Sequence, residues 1–185
     1  MRLFFAVNLT HDIKRGIRDA IDRFPVQKPP WRWVREDNLH ITLKFLGEME
    51  PGSISGLITA AEEACAGRDS FELSFSRFGA FPNLRKPRVL FFSAERGEAQ
   101  LKSLAGALEE SLHRHLGIER ERRPFRSHIT VARVKRPLSR DLSGLLERVP
   151  PLEGLSQEVG TISLMESELR PSGAVYRVVK EIALS

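Results

Sequence analysis

Cysteine is almost absent from the chain. Cys65 is the single one, so no intrachain disulfide can form and no cysteine-rich zinc cluster is available. That usage suits a reducing compartment, and a cytoplasmic location is expected. Long apolar runs are also missing: no stretch approaches the roughly 20 apolar residues that cross a bilayer, so a soluble chain with no membrane partner is expected. The opening MRLFFAVNLTHD has one basic residue and an apolar run shorter than a signal-peptide core, with no small-residue cleavage site behind it. It reads as a first strand. HExxH, a cysteine pair, a GxxxxGK phosphate loop and a Lys-x-Asp-Gly nucleotidylation motif are all absent. These absences weigh against a metal hydrolase and an ATP-dependent ligase. His113 and His115 form the only close histidine pair, and they fall on a predicted helix where positions i and i+2 diverge.

Positive charge is in excess. The chain carries 29 Lys and Arg against 24 Asp and Glu, a formal +5, with a pI near 9.8; this balance favours phosphate-bearing partners. Arginine outweighs lysine, and RERRPFRSH, residues 120–128, places four arginines just ahead of a histidine. Forked donors there either attract a phosphate or make a solvated charged turn.

An apolar content of 41% over 185 residues suits one domain, or two small lobes sharing a core. RLFFAVNL and NLHITLKFLG alternate as strands, with DIKRGIRDAIDRF between them at helical period and Pro29 and Pro30 marking a loop. PGSISGLITAAEEACAG predicts a serine-capped helix ending near Gly67, and FELSFSRFGAF a strand. PRVLFFSAE, GEAQLKSLAGALEESLHRHLG and SHITVARV then repeat strand, helix, strand. SRDLSGLLERV predicts a shorter helix, and EVGTISLMESEL with AVYRVVKEIAL a hairpin turned at RPSG. Two passes of the same element order suggest an internal duplication, although little residue identity supports it outside one motif. The expected fold class is α+β: a single bilobal domain over 1–185, with two antiparallel sheets facing a central cleft, helices on the outer faces and a pseudo-twofold relation between the lobes.

That motif is LHITLKFLG at 39–47, which returns as SHITVARV at 127–134. Residues i and i+2 of a strand share a face, so His40 points with Thr42, and His128 with Thr130. Ile41, Leu43, Ile129 and Val131 face the other way, towards the helices. A surface histidine on a half-buried strand explains either motif alone; the pair describes a symmetric site. A neutral imidazole takes a proton from water while a protonated one opposite donates to a leaving oxygen, and the hydroxyls bind non-bridging phosphate oxygens. Such a pair predicts a bell-shaped rate profile centred at about pH 6 to 7.5.

The paired HITL and HITV, with GAFP at 79–82, PRVLFF at 87–92 and HITVAR, resemble the two-histidine phosphoesterases, and within them the RNA 2′,3′-cyclic phosphodiesterases once called 2′-5′ RNA ligases. The resemblance covers nearly the whole chain. It implies a bilobal α+β fold and hydrolysis of an RNA 2′,3′-cyclic phosphate to a 2′-phosphate, with no metal or nucleotide cofactor. By motif order it implies His40 as proton donor to the departing 3′ oxygen, His128 as acceptor from water, and Thr42 and Thr130 as phosphate binders; the residues alone leave open which histidine is which. Reverse ligation to a 5′ hydroxyl uses the same groups. Arg133 matches an arginine expected near the phosphate, although its strand parity opposes that of His128 and Thr130. Lys44, with the favourable parity, is a second candidate cation or a solvated lysine. Ser127 stands where the family often has proline. Phe4, Phe5, Trp33 and Phe125 offer a base-stacking surface or pack in the core. The partner expected is RNA or a nucleotide with a cyclic phosphate end, acted on by a monomer. The alternative is a non-catalytic RNA-binding module, which the basic charge also permits.

Overall fold

Strand β1 (Arg2–Asn8) buries every residue from Leu3 to Val7, as suits a strand in the interior of a sheet with neighbours on both edges. The computed structural model describes residues 1–24, 29–135, 143–149, 152–171 and 173–185; the helix expected over 139–149 and the turn expected at 170–173 lie partly outside them. After β1, Thr10 caps helix α1 (His11–Asp22), its hydroxyl accepting from the Ile13 N–H at 3.5 Å. Ile13, Ile17, Ala20 and Ile21 bury one helical stripe. A three-residue strand that the sequence pattern is too short to reveal, β2 (Trp31–Trp33), precedes β3 (His40–Glu48).

Helix α2 (Ile54–Cys65) follows a 3-10 turn at Pro51–Ser53. The expected serine cap is absent: Ser53 already has helical dihedrals, and its hydroxyl donates back to the Glu50 carbonyl at 2.7 Å. Strands β4 (Phe71–Phe81) and β5 (Val89–Ala94) lead to α3 (Glu98–Leu116). That helix buries Leu101, Leu104, Leu108 and Leu112 and stops at Gly117, whose φ of 65° suits the left-handed cap that glycine adopts without a Cβ clash. Strand β6 (His128–Val134), the short helix α4 (Ser143–Leu146), and strands β7 (Ser156–Val159), β8 (Thr161–Arg170) and β9 (Gly173–Ala183) complete the described elements.

The strands form one antiparallel sheet in the order β7-β4-β5-β6-β3-β1-β8-β9, with β2 added on β6. Read outwards from the β6–β3 junction, the arms are β6, β5, β4, β7 and β3, β1, β8, β9. Helix α3 links β5 to β6 as α1 lies between β1 and β3, so the duplication expected from element order is visible in the topology. The two sheets expected are thus the two arms of one strongly curled sheet, joined where Ile41 pairs with Ile129. Curling follows from the chain itself. β7 and β8 lie far apart in strand order yet are separated by Gly160 alone, so the sheet bends until its arms approach each other. The strand expected over 158–169 is therefore two strands, one in each arm.

Gln157 on β7 fastens this closure. It is 8% exposed, its Oε1 accepts from the Thr10 N–H at 2.9 Å, and its Nε2 donates to the Asn8 carbonyl at 3.0 Å. The helices cover one face of the sheet, where Ile13, Leu57, Leu104, Ile41 and Ile129 join a single apolar cluster. The opposite face is left for the site.

Candidate active site

Extending the antiparallel register from Ile41–Ile129 by one residue sets His40 across from Thr130 and Thr42 across from His128. Ile41 and Ile129 are fully buried on the helix side. On the other side lies a cleft of about 570 Å³ that receives His40, Thr42, His128, Thr130 and Arg133, together with Arg2. No carboxylate lines it among the described residues. Two imidazoles, the two threonine hydroxyls and two guanidiniums therefore share one concave, cationic space, with Ser167 and Tyr176 also on its wall.

Arg133 reaches the cleft through a β-bulge. Leu90 pairs with Ala132 but Phe91 with Thr130, so Val131 is an extra residue opposite no partner. One inserted residue reverses the alternation beyond it. Val131 and Ala132 are buried in succession, and Arg133 emerges on the same side as His128. Strand β3 repeats the device: Phe5 pairs with Lys44 and Ala6 with Thr42, leaving Leu43 as the extra residue. Here the bulge overturns the reading of Lys44 as a cleft cation. Lys44 is 4% exposed on the helix side, its Nζ donating to Glu109 Oε1 at 2.7 Å and to the Glu119 carbonyl at 2.8 Å. Phe45 takes the cleft position instead. The signal available in sequence was two adjacent buried-type residues, Val131 and Ala132, breaking an otherwise alternating strand.

Both imidazoles are fixed by the backbone. His40 Nδ1 lies 2.8 Å from the Asn38 carbonyl, and His128 Nδ1 lies 2.7 Å from the Arg126 carbonyl. A carbonyl only accepts, so each Nδ1 carries its hydrogen and each Nε2 is the atom left for chemistry. Nε2 of His40 lies 3.0 Å from Thr42 Oγ1, which donates to it while the ring is neutral. Burial lowers the pKa of His40 to about 4; the Asn38 carbonyl opposes that shift, while Arg133 and His128 add to it. His128 is also lowered, again chiefly by burial, with Arg133 contributing. Both imidazoles are therefore neutral near pH 7.

The burial comes from aromatic rings supplied by distant strands. Phe4 lies 5.0 Å from His40 between ring centroids, and Tyr176 stands edge-on at 5.2 Å. Phe81 and Phe91 flank His128 in the same way, at 5.2 and 5.7 Å. Of the four aromatics singled out in sequence, Phe4 lines the cleft, Phe5 is core, and Trp33 and Phe125 pack partly buried against the core. Phe81 falls within the GAFP stretch but has no role assigned by it, and Tyr176, Asn38 and Arg2 carry no local motif. Asn38 Nδ2 donates to the Ala174 carbonyl at 2.7 Å, tying the turn before His40 to β9. Ser127 is buried and adds no polar atom to the cleft. On α3, His113 bonds the Ile118 carbonyl and His115 pairs with Glu63. No group of three His, Cys, Asp or Glu side chains converges as metal ligands would among the described residues.

A sheet curled around paired HxT strands, with a cationic cleft between them, defines a two-histidine phosphoesterase architecture. The family model of LigT-like phosphoesterases matches residues 7–91 and 94–176, one histidine motif in each stretch, and the chain belongs to that family. It is 32% identical over 177 residues to a protein of Methanothermobacter thermautotrophicus named RNA 2′,3′-cyclic phosphodiesterase, covering 95% of each chain. Among solved structures it resembles TT0787 of Thermus thermophilus, with a TM-score of 0.82, 32% identity, and coverage of 100% of this chain and 98% of that one. The E. coli LigT complex with 3′-AMP superposes with a TM-score of 0.79 at 29% identity, again covering 100% and 98%.

Proposed function

We propose that the chain hydrolyses RNA 2′,3′-cyclic phosphate ends to 2′-phosphates by acid–base catalysis between His40 and His128, without a metal ion. The observation that carries this reading is the pair of imidazoles whose Nδ1–H groups are held by backbone carbonyls and whose rings line one cleft, with no carboxylate lining it among the described residues. The substrate class is supported by the relative named for that activity and by the 3′-AMP complex of a structural neighbour.

The substrate phosphate is itself the missing charge. An anion between the rings favours imidazolium and raises the lowered pKa values, so binding loads the proton that the reaction needs. His128 Nε2 takes a proton from the attacking water as the new P–O bond forms. The bond from phosphorus to the 3′ oxygen breaks, and His40 Nε2 delivers its proton to that oxygen. Thr42, Thr130 and Arg133 bear on the non-bridging oxygens, where charge builds up. The product is a 2′-phosphomonoester beside a free 3′ hydroxyl, with one proton moved from His40 to His128. A 5′ hydroxyl in place of water gives the reverse, 2′-5′ joining. A monomer acting in a reducing cytoplasm is part of the same proposal; Cys65, the one cysteine, is buried, which pushes its thiol up to about 11.

The test is turnover of an oligonucleotide ending in a 2′,3′-cyclic phosphate, in EDTA and without ATP, followed by identification of the product isomer. A 2′-phosphate is expected. A 3′-phosphate product, or activity lost to EDTA and restored by zinc or manganese, overturns the reading. RNA bound tightly with no turnover favours a binding module instead.

A further inference from the structure

Four cations beside the cleft have no use in the chemistry just described. A second concavity of about 800 Å³ is lined by Lys86 and Arg88 from the β4–β5 connection and by Arg123 and Arg126 from the segment before β6. It shares Phe81, Val89 and His128 with the catalytic cleft, so the two spaces adjoin along these residues. Its remaining walls are Pro82 and Pro124.

The pairing pattern separates these cations from ordinary surface charge. Arg96 pairs with Glu72, Arg114 with Glu63, and Arg120 with Glu110. Lys86, Arg88, Arg123 and Arg126 are exposed, have no ion pair among the described residues, and share their groove with no described carboxylate. Four like charges held together on one wall repel one another, a cost that is offset when a polyanion lies among them. The structure thus divides the arginine run at 120–128: Arg120 pairs with Glu110 of α3, while Arg123 and Arg126 line the groove.

We infer that this groove binds the single-stranded RNA immediately 5′ of the cyclic phosphate, its phosphodiesters on Lys86, Arg88, Arg123 and Arg126 and a base against Phe81. The inference rests on the cyclic phosphodiesterase reading, and chain direction follows from it. A 2′,3′-cyclic phosphate closes the 3′ end of a strand, so every further nucleotide lies on the 5′ side and must leave the cleft by a route that accepts negative charge. The groove has the size of about one or two nucleotide units. Phe81 is half-buried and stacked on Phe91 at 4.3 Å between centroids, which holds its ring as a firm platform. Apolar walls edged by cations suit unpaired bases on a charged backbone.

The experiment compares a nucleoside 2′,3′-cyclic monophosphate, which fills the cleft alone, with a short oligonucleotide carrying the same end. The wild-type chain is expected to show a higher kcat/KM on the oligonucleotide and a steeper salt dependence for it. In the double variant Lys86→Glu/Arg123→Glu, kcat/KM on the oligonucleotide should fall about 30-fold or more, with the mononucleotide within about twofold of wild type. The single variants Lys86→Ala and Arg123→Ala, milder towards folding, should each reduce the log–log salt slope for the oligonucleotide by about 0.7. Equal kcat/KM on both substrates in the wild type overturns the groove assignment, as does a double variant that loses both activities together or neither. Wild-type inactivity on both substrates removes the phosphodiesterase reading and this assignment with it.

Discussion

At the scale of the residue, the chemistry rests on where two protons reside. His40→Ala and His128→Ala should each lower kcat by about 100- to 10,000-fold with comparable thermal melts, because on the proposed mechanism each removes a proton-transfer group and both half-buried rings line the cleft. Near-wild-type turnover in either variant rules out paired catalysis. Thr42→Ala should be milder, about 10- to 100-fold, through loss of one hydroxyl beside His40 Nε2. The pH dependence has a defined sign. Burial holds His40 at about 4 against an ordinary value of 6.5. Between those values the unfolded chain binds a proton that the folded chain refuses, so stability falls as pH drops through that window and levels off below it. Urea unfolding from pH 7 to 4 should show the loss, and His40→Gln should flatten it. For activity, kcat/KM scales with the share of the free protein that holds one ring protonated and one neutral, although binding can supply the proton. With both rings lowered, that state is richest on the acid side of the ordinary histidine value. The maximum of kcat/KM therefore moves below the range of about 6 to 7.5 expected from unperturbed rings. A kcat/KM that rises steadily to pH 9 contradicts the mechanism.

At the scale of the element, the two β-bulges decide which side chains the cleft receives. Strict alternation would send Arg133 to the helices and Lys44 to the substrate, and the inserted Val131 and Leu43 exchange those destinations. Arg133→Ala should lower kcat/KM by about 10- to 100-fold with little change in unfolding free energy, since the side chain is exposed and pairs with no described carboxylate. Lys44→Ala should do the reverse. It leaves Glu109 beside an empty buried site and should cost about 1 to 3 kcal/mol of stability, discounted because Glu109 keeps some solvent contact. Turnover per folded molecule should stay near wild type. If Lys44→Ala lost activity without losing stability, the lysine would belong to the cleft after all.

At the scale of the whole molecule, the site exists because the sheet is bent. Gly160 carries the chain from one arm to the other in a single residue, and Gln157 secures the approach through the Asn8 carbonyl and the Thr10 N–H. Gln157→Leu strands both backbone groups in a buried place and should cost about 1 to 3 kcal/mol in chemical denaturation. Because β1 carries Phe4 beneath His40, a loosened closure should also raise KM. An unchanged denaturation midpoint would show that the curl is held elsewhere.

The sequence by itself determined what is periodic and local. The alternation of LHITLKFLG and SHITVARV placed two imidazoles and two hydroxyls on one face of their strands, and the helical stripes of α1 and α3 were legible because a single element buries each. What the tertiary structure decided depends on groups far apart in the chain. The bulges reassign Arg133 and Lys44 because register is fixed by the partner strands, β5 and β1, and not by the strand that carries the residue. The rings that lower the histidine pKa values come from β1, β4, β5 and β9, and no spacing in the chain shows that they meet at the two imidazoles. β2 was too short to show a period, and β7 and β8 read as one strand because the switch at Gly160 is visible only when both arms of the sheet are present. Within the basic run at 120–128, only the fold pairs Arg120 with Glu110 and leaves Arg123 and Arg126 in a groove without a described carboxylate. A charge on a sequence is free or paired only once folding has chosen its neighbours.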